Sequence, residues 1–182
     1  MGISTRKGDG GRTKLLSGEE VSKNSIRTRA YGDLDEAVSA MGLARALTGV
    51  ELIREGLYAI QRICFVIGAE LATSPDVARR LPNRLEKSDL EVLDRIGADL
   101  EEELELPPVF IIPGSTPASA ALDLARTVVR RVERGVVAML ETEDGAVVNS
   151  NILPYLNRLS DVLFLYARFE EKKQGVDYDR LR

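Results

Sequence analysis

Residues 4–14, STRKGDGGRTK, combine glycines and cations near the start of an acidic chain. Backbone N–H groups at glycines can line an anion-binding concavity, and Arg6, Lys7, Arg12 and Lys14 would surround it with positive charge. The stretch is not a Walker A motif, because a threonine stands where that motif requires its second glycine and no strand pattern precedes it. Taken alone, these residues fit a loose terminal tail better than a phosphate-binding loop.

A second concentration of cations lies in the second half of the chain. At 100° per residue, one side of a helix here is charged and the opposite side is apolar. The charged side carries Arg126, Arg130, Glu133 and Arg134, with Arg131 at its edge. A solvated face is the usual meaning of this pattern. Every cation is arginine, however, whose planar fork binds phosphate through paired hydrogen bonds, so a phosphate site is the alternative.

Polar residues interrupt two other apolar segments. In the first, Gly32 stands beside Asp33, Asp35 and Glu36. A glycine inside a helix costs about 1 kcal/mol relative to alanine, so it marks either a close approach by a ligand or another backbone, or chance. In the second, YLNRLSD, we expect Asn157 to be buried and hydrogen-bonded, either to another helix or to a ligand.

Composition excludes several classes of site. The chain has no histidine and a single cysteine, Cys64, so a disulfide framework, a Cys/His zinc site and a histidine base are absent. Cys64 lies in an apolar segment and is expected in the core. The net charge of -4 disfavours nucleic-acid binding. No run of about 20 apolar residues predicts a membrane span and no export leader is evident, so a cytoplasmic protein is expected.

Five helices must position these side chains. Apolar residues three or four apart predict the first two helices over 25–47 and 51–72. The third should run from a Ser88–Glu91 capping box to the prolines at 107 and 108, and the fourth from an N-cap at Thr116 to about 141. The fifth should lie in the segment 150–173 and end near residue 173. A short extended segment is expected around Phe110. Short connections favour an all-α, five-helix up-and-down bundle, with a ferritin-like four-helix core plus one helix.

Three blocks of this sequence together resemble one family. They are TRKGDGGRT with VSKNSIRTRAYGDLDE, FIIPGSTPASAALDLARTVVRRVERGVV, and YLNRLSDVLFLYARF. They are similar, in order and spacing, to the PduO-type ATP:cob(I)alamin adenosyltransferases. The resemblance implies a trimer with active sites between subunits, which transfers the 5′-deoxyadenosyl group of ATP to reduced cobalamin in the presence of Mg2+. The alternative is a noncatalytic bundle of the same fold that binds ATP or cobalamin as a sensor or chaperone.

The resemblance also assigns residues. The implied ATP ligands are Thr5, Arg6, Lys7, Gly8, Thr13, Lys14, Lys23, Arg130, Arg131, Val132, Glu133, Arg134 and Asn157. The implied catalytic residues are Arg130, Phe110, Asp35 and Arg126. Of these, Asp35 and Arg126 match an ion pair between subunits, and Phe110 matches the aromatic residue that closes the lower face of the corrin. No side chain is implied as a metal ligand.

The resemblance implies three regions and several partners. Residues 1–24 form a glycine-rich nucleotide-binding loop, mobile until ATP binds, 25–174 form the bundle, and 175–182 form a tail. Asp123 departs from the family pattern, since many relatives have histidine there, which puts fine cobalamin contacts in doubt. Expected partners are two further copies in a homotrimer, a reductase and an adenosylcobalamin-dependent enzyme, with no nucleic acid and no membrane.

Overall fold

The described part of the chain forms five long helices and one short helix, which confirms the predicted helical bundle. The computed structural model describes residues 6, 8–104, 106, 108–142, 147–177 and 179–180. The helices are α1 (Ile26–Leu47), α2 (Glu51–Leu71), α3 (Pro75–Ala78), α4 (Lys87–Leu104), α5 (Pro117–Leu140) and α6 (Ile152–Lys173). Helix α1 packs against α2 and α5, α5 packs against α6, and α6 packs against α4. The helices therefore follow the spatial order α2, α1, α5, α6, α4.

Local capping explains where the helices begin. The Thr28 N–H donates to Ser25 Oγ at the start of α1. At the start of α5, Thr116 and Ser119 form a reciprocal capping box and Pro117 occupies the first turn, as predicted for Thr116. The capping box predicted at Ser88 is wrong, because α4 begins at Lys87 and the Glu86 N–H donates to the Asp89 carboxylate at 2.8 Å. A carboxylate is the stronger acceptor near the positive end of the helix dipole.

The N-terminal region contains a hairpin that the sequence analysis did not predict. Strands β1 (Arg12–Lys14) and β2 (Glu20–Ser22) pair in antiparallel fashion. The turn between them is anchored to the end of α2, since the Leu16 N–H donates to the Ala72 carbonyl and the Ser74 N–H donates to Ser17 Oγ, both at 2.9 Å. Beneath this anchor, buried Arg27 donates to the carbonyls at the end of α2.

A second, smaller sheet lies at the other connection. Strand β3 (Ile111–Ile112), in the segment predicted to be extended, pairs with β4 (Asp179–Arg180) from the C-terminal region, where no strand was predicted. Phe110 directly precedes β3. The pairing therefore ties the loop that carries Phe110 to the end of the chain.

The core lies between α1, α2, α5 and α6, where most inward side chains are fully buried. Cys64 is in this core, as predicted, and burial raises the pKa of its thiol to about 12. Within the described residues, every helix is too short or too polar to span a bilayer.

Candidate functional site

Arg126 and Arg130 line a cavity on the outer side of α5. The cavity has a volume of about 540 Å³ and lies between α5, α6 and the end of α4. Its other lining residues are Glu101, Leu106, Ser160, Asp161, Phe164 and Leu165. Two arginines thus face a space large enough for part of a nucleotide or corrin, with apolar walls beside them.

The two cavity arginines differ in how firmly they are held. The Arg126 Nε–H donates to Asp123 Oδ1 at 3.0 Å, and Asp123 is 3% exposed. Among the described residues, no side-chain hydrogen bond or ion pair holds the Arg130 guanidinium, and Arg130 is exposed. Arg130 therefore keeps its whole hydrogen-bonding fork available to a ligand.

Arg131 points toward α1 instead of into the cavity. Its guanidinium is hydrogen-bonded to Glu36 and lies 3.4 Å from the Asp33 carboxylate. The hydrogen bond to Glu36 holds the pKa of Arg131 above its usual value. Arg131, predicted to lie at the edge of the charged face of its helix, thus belongs to an ion-pair cluster between α1 and α5.

Asn157 meets Glu133 on the surface next to the cavity. Its Nδ2–H donates to Glu133 Oε1 at 3.1 Å, which brings together two residues predicted to bind ATP. The expectation that Asn157 is buried is wrong, because this position of α6 faces solvent. Arg134 is also exposed, whereas the side chain of Val132 is fully buried and packs beneath the arginines.

Two of the N-terminal candidates, Gly8 and Lys23, lie in contact. A Cβ atom at Gly8 would lie 2.8 Å from Lys23 Nζ, so the ammonium occupies the space left by the missing side chain. The loop closes on itself, because the Lys23 N–H donates to the Gly11 carbonyl and the Gly11 N–H donates to the Gly8 carbonyl. Gly11 has φ of +74°, a conformation that favours glycine.

The remaining N-terminal candidates are distributed along this loop. Arg6 is exposed at its beginning, and Thr13 and Lys14 lie on β1. Thr5 and Lys7 lie outside the described residues. Lys23 thus lies against Gly8, whereas Lys14 lies opposite Glu20, at the other end of the β1–β2 pairing.

Asp35 and Phe110 are exposed in separate places. Asp35 borders an apolar groove of about 410 Å³ between α1 and α2, with Leu16, Gly32 and Phe65. None of the residues that the structure describes lies within 4 Å of the position of a Cβ at Gly32, so none of them explains that glycine. Phe110 is 81% exposed. The groove of Asp35 and the cavity of Arg126 thus involve different helices of the chain.

The residues that hold Arg126 in place were not among the predicted site residues. Asp123 was noted only as a departure from a family pattern, and Arg168 was not considered. Arg168 is 1% exposed and donates to Asp123 Oδ2 at 2.6 Å. A signal was present, since an arginine in the midst of an apolar helix must have buried acidic partners.

Comparison with known proteins identifies the family of this helical bundle. The family model described as cobalamin adenosyltransferase matches residues 3–170, and the chain belongs to this family. It is 41% identical to a corrinoid adenosyltransferase from Citrobacter freundii, over 96% of this chain and 97% of that protein. It is 37% identical to one from Bacillus subtilis, over 99% of this chain and 93% of that protein.

A solved structure extends the similarity to three dimensions. It is a variant PduO-type ATP:corrinoid adenosyltransferase from Lactobacillus reuteri, complexed with cobalamin and ATP. The TM-score is 0.92 at 30% identity, and the match covers all of this chain and 97% of the other. The similarity thus spans the bundle, the hairpin and the loop before α5.

Proposed function

We propose that this protein transfers the 5′-deoxyadenosyl group of ATP to the cobalt of reduced cobalamin, giving adenosylcobalamin and triphosphate. The observation that carries the proposal is the cavity of Arg126 and Arg130 in a chain of this family. The solved relative that holds both cobalamin and ATP supports the same pair of substrates.

The reaction suits a protein without histidine. The Co(I) centre of the substrate donates its electron pair to C5′ of ATP, the cobalt–carbon bond forms, and the C5′–oxygen bond breaks as triphosphate leaves. No proton has to be removed, so no general base is required. The protein's part is to place the two substrates and to stabilise the negative charge of the leaving group.

Arg130 is the residue best placed to stabilise the leaving group. Its guanidinium is exposed beside the cavity, and a charge-assisted hydrogen bond from arginine to phosphate contributes about 1.5–3 kcal/mol. Arg134 and the Asn157–Glu133 pair border the same surface and complete the phosphate and ribose contacts.

Mg2+ would arrive with the nucleotide. Among the described residues, no group of three or more carboxylate or cysteine side chains is arranged to hold a metal ion. Mg2+ prefers oxygen ligands and retains several waters, so the phosphate oxygens of ATP would be its main ligands. Its contribution is to share the charge of the triphosphate.

The active site is proposed to lie between two copies in a homotrimer. The hairpin that carries Lys14 and Lys23 is anchored to the end of α2, whereas Arg130 faces the cavity beside α6. The residues proposed to bind the nucleotide therefore lie on two different sides of the bundle within a single chain. Asp35 of one copy would reach Arg126 of the next, as the resemblance implies.

Phe110 is proposed to close the lower face of the corrin. Cob(II)alamin is hard to reduce while a ligand stays on the lower axial side of cobalt. Phe110 is a large exposed apolar side chain on a loop fixed by the β3–β4 pairing, so it can exclude water from that position. Its alternative role, as a core anchor for the loop, does not suit its exposure.

The chemistry also defines the partners. A reductase must supply the electron that produces Co(I), and an adenosylcobalamin-dependent enzyme must receive the product. We place the protein in the cytoplasm, where ATP is available, and expect it to act without nucleic acid or membrane.

The test is an anaerobic assay with purified protein, ATP, Mg2+ and chemically reduced cobalamin. Adenosylcobalamin and triphosphate should form in equal amounts, and omission of ATP or chelation of Mg2+ should stop their formation. Binding of ATP without either product would favour the noncatalytic sensor or chaperone. Protection of residues 1–25 from protease by ATP is the matching test for the N-terminal loop.

A further inference from the structure

A network of four charged side chains, of which all but Arg126 are buried, connects the cavity to the inside of the bundle. Asp123 uses both oxygens: Oδ1 accepts from Arg126 Nε at 3.0 Å, and Oδ2 accepts from Arg168 Nη2 at 2.6 Å. Arg168 in turn donates from the same Nη2 to Glu171 Oε1 at 3.1 Å, and its Nε lies 3.0 Å from Glu171 Oε2. Two carboxylates and two guanidiniums thus alternate from the core to the cavity.

We propose that Asp123 and Arg168 are positioning residues for Arg126, an inference that rests on the proposed function. Asp123 occupies the Nε side of the Arg126 guanidinium, so the Nη groups are left for a substrate or for Asp35 of a second copy. The guanidinium of Arg126 is thereby set in one orientation at the wall of the cavity before any ligand binds.

Arg168 fixes Asp123 in turn. Its side chain is fully buried and its guanidinium carbon lies 5.2 Å from the centre of the Phe164 ring. Phe164 also lines the cavity, so the network and the apolar wall share one support. Without Arg168, the buried Asp123 carboxylate would keep only its hydrogen bond to Arg126. The carboxylate could then move together with the Arg126 side chain and would no longer fix its orientation.

A double-mutant cycle separates positioning from general stability. Asp123→Asn keeps the shape of the side chain but cannot accept from both arginines. If Asp123 acts through Arg126, Asp123→Asn should lower kcat at least about tenfold in the wild-type protein and less than about twofold when Arg126 is already alanine.

Glu70→Gln is the matched control. Glu70 is a carboxylate of similar burial, 4% exposed, that accepts from the Leu85 N–H, from Asn149 and from Arg84. These partners lie away from the cavity, so any effect of Glu70→Gln on kcat should be the same with Arg126 present or absent.

Three results would overturn the inference. The first is wild-type kcat for Asp123→Asn, and the second is an equal loss of kcat in both Arg126 backgrounds. If Asp123→Asn does not fold, Arg168→Lys takes its place, because lysine keeps the charge but loses the guanidinium fork. The third result is a wild-type kcat for Arg168→Lys. Failure of the proposed function is distinct, since the wild-type protein itself would then form no adenosylcobalamin.

Discussion

The contact between Gly8 and Lys23 predicts a specific effect of one methyl group on ATP binding. Gly8→Ala would place Cβ at 2.8 Å from Lys23 Nζ and 3.0 Å from Cε, whereas ordinary contacts begin at 3.4 Å. The ammonium ends a flexible side chain, so it will swing away instead of straining the fold. The backbone at Gly8 is not in the left-handed region, so alanine itself is tolerated there.

The magnitude follows from the interaction that is lost. If Lys23 contacts a phosphate of ATP, its displacement removes one charge-assisted hydrogen bond, about 1.5–3 kcal/mol. At 1.4 kcal/mol for each factor of ten, the Kd for ATP should rise roughly 10- to 100-fold. The melting temperature should not change, because Lys23 is exposed.

Isothermal titration with MgATP measures this effect, and the same loop offers the control. A Cβ at Gly10 would meet none of the described residues within 4 Å, so Gly10→Ala should bind ATP like the wild-type protein. In a Lys23→Ala background, Gly8→Ala should have no further effect. Equal affinities for Gly8→Ala and Gly10→Ala would refute the assignment of Lys23 to the phosphate site.

Three further predictions concern the arginines and a buried tyrosine. Arg130→Ala should lower the initial rate roughly 10- to 100-fold with an unchanged melting temperature, since the exposed guanidinium serves only the ligand; a near-normal rate would contradict this role. Asp35→Asn should weaken trimer association by about 1 kcal/mol, because Arg126 retains Asp123 as a partner; sedimentation and ATP titration that match the wild-type protein would disprove the pair. Burial raises the pKa of Tyr166 to about 12 from 10.0. The contribution of this tyrosine to the free energy of unfolding is therefore complete below pH 10 and is lost as the pH rises to about 12. Urea unfolding should show that roughly 3 kcal/mol of this alkaline loss of stability is absent in Tyr166→Phe, and the same loss in both proteins would contradict the prediction.

The helices could be predicted from the sequence because each has its own periodic signal. Apolar spacing located the five long helices, and the chemistry of Thr116 and Pro117 located the start of α5. The β1–β2 hairpin could not be predicted, because strands of three residues are too short to show alternation. Its stability also depends on hydrogen bonds to the distant end of α2.

The candidate site could be predicted only in part. The arginine face of α5 follows from helical geometry, but the direction of each arginine depends on its tertiary neighbours. Asn157 was misplaced because α6 is buried over most of its surface, so the narrow exposed stripe is hidden in an apolar sequence. Arg168 lies in the same apolar background, and its partner Asp123 is on another helix.

The central claim is that the hairpin of one copy and Arg130 of another form one active site. Lys23→Ala and Arg130→Ala chains should each be inactive alone, and the decisive measurement is the adenosyl transfer rate of trimers co-expressed from both. Random assembly leaves about one quarter of sites with both residues intact, so about a quarter of wild-type activity should return. Mixed trimers as inactive as either parent would contradict the account, because a site within one chain is damaged in every copy.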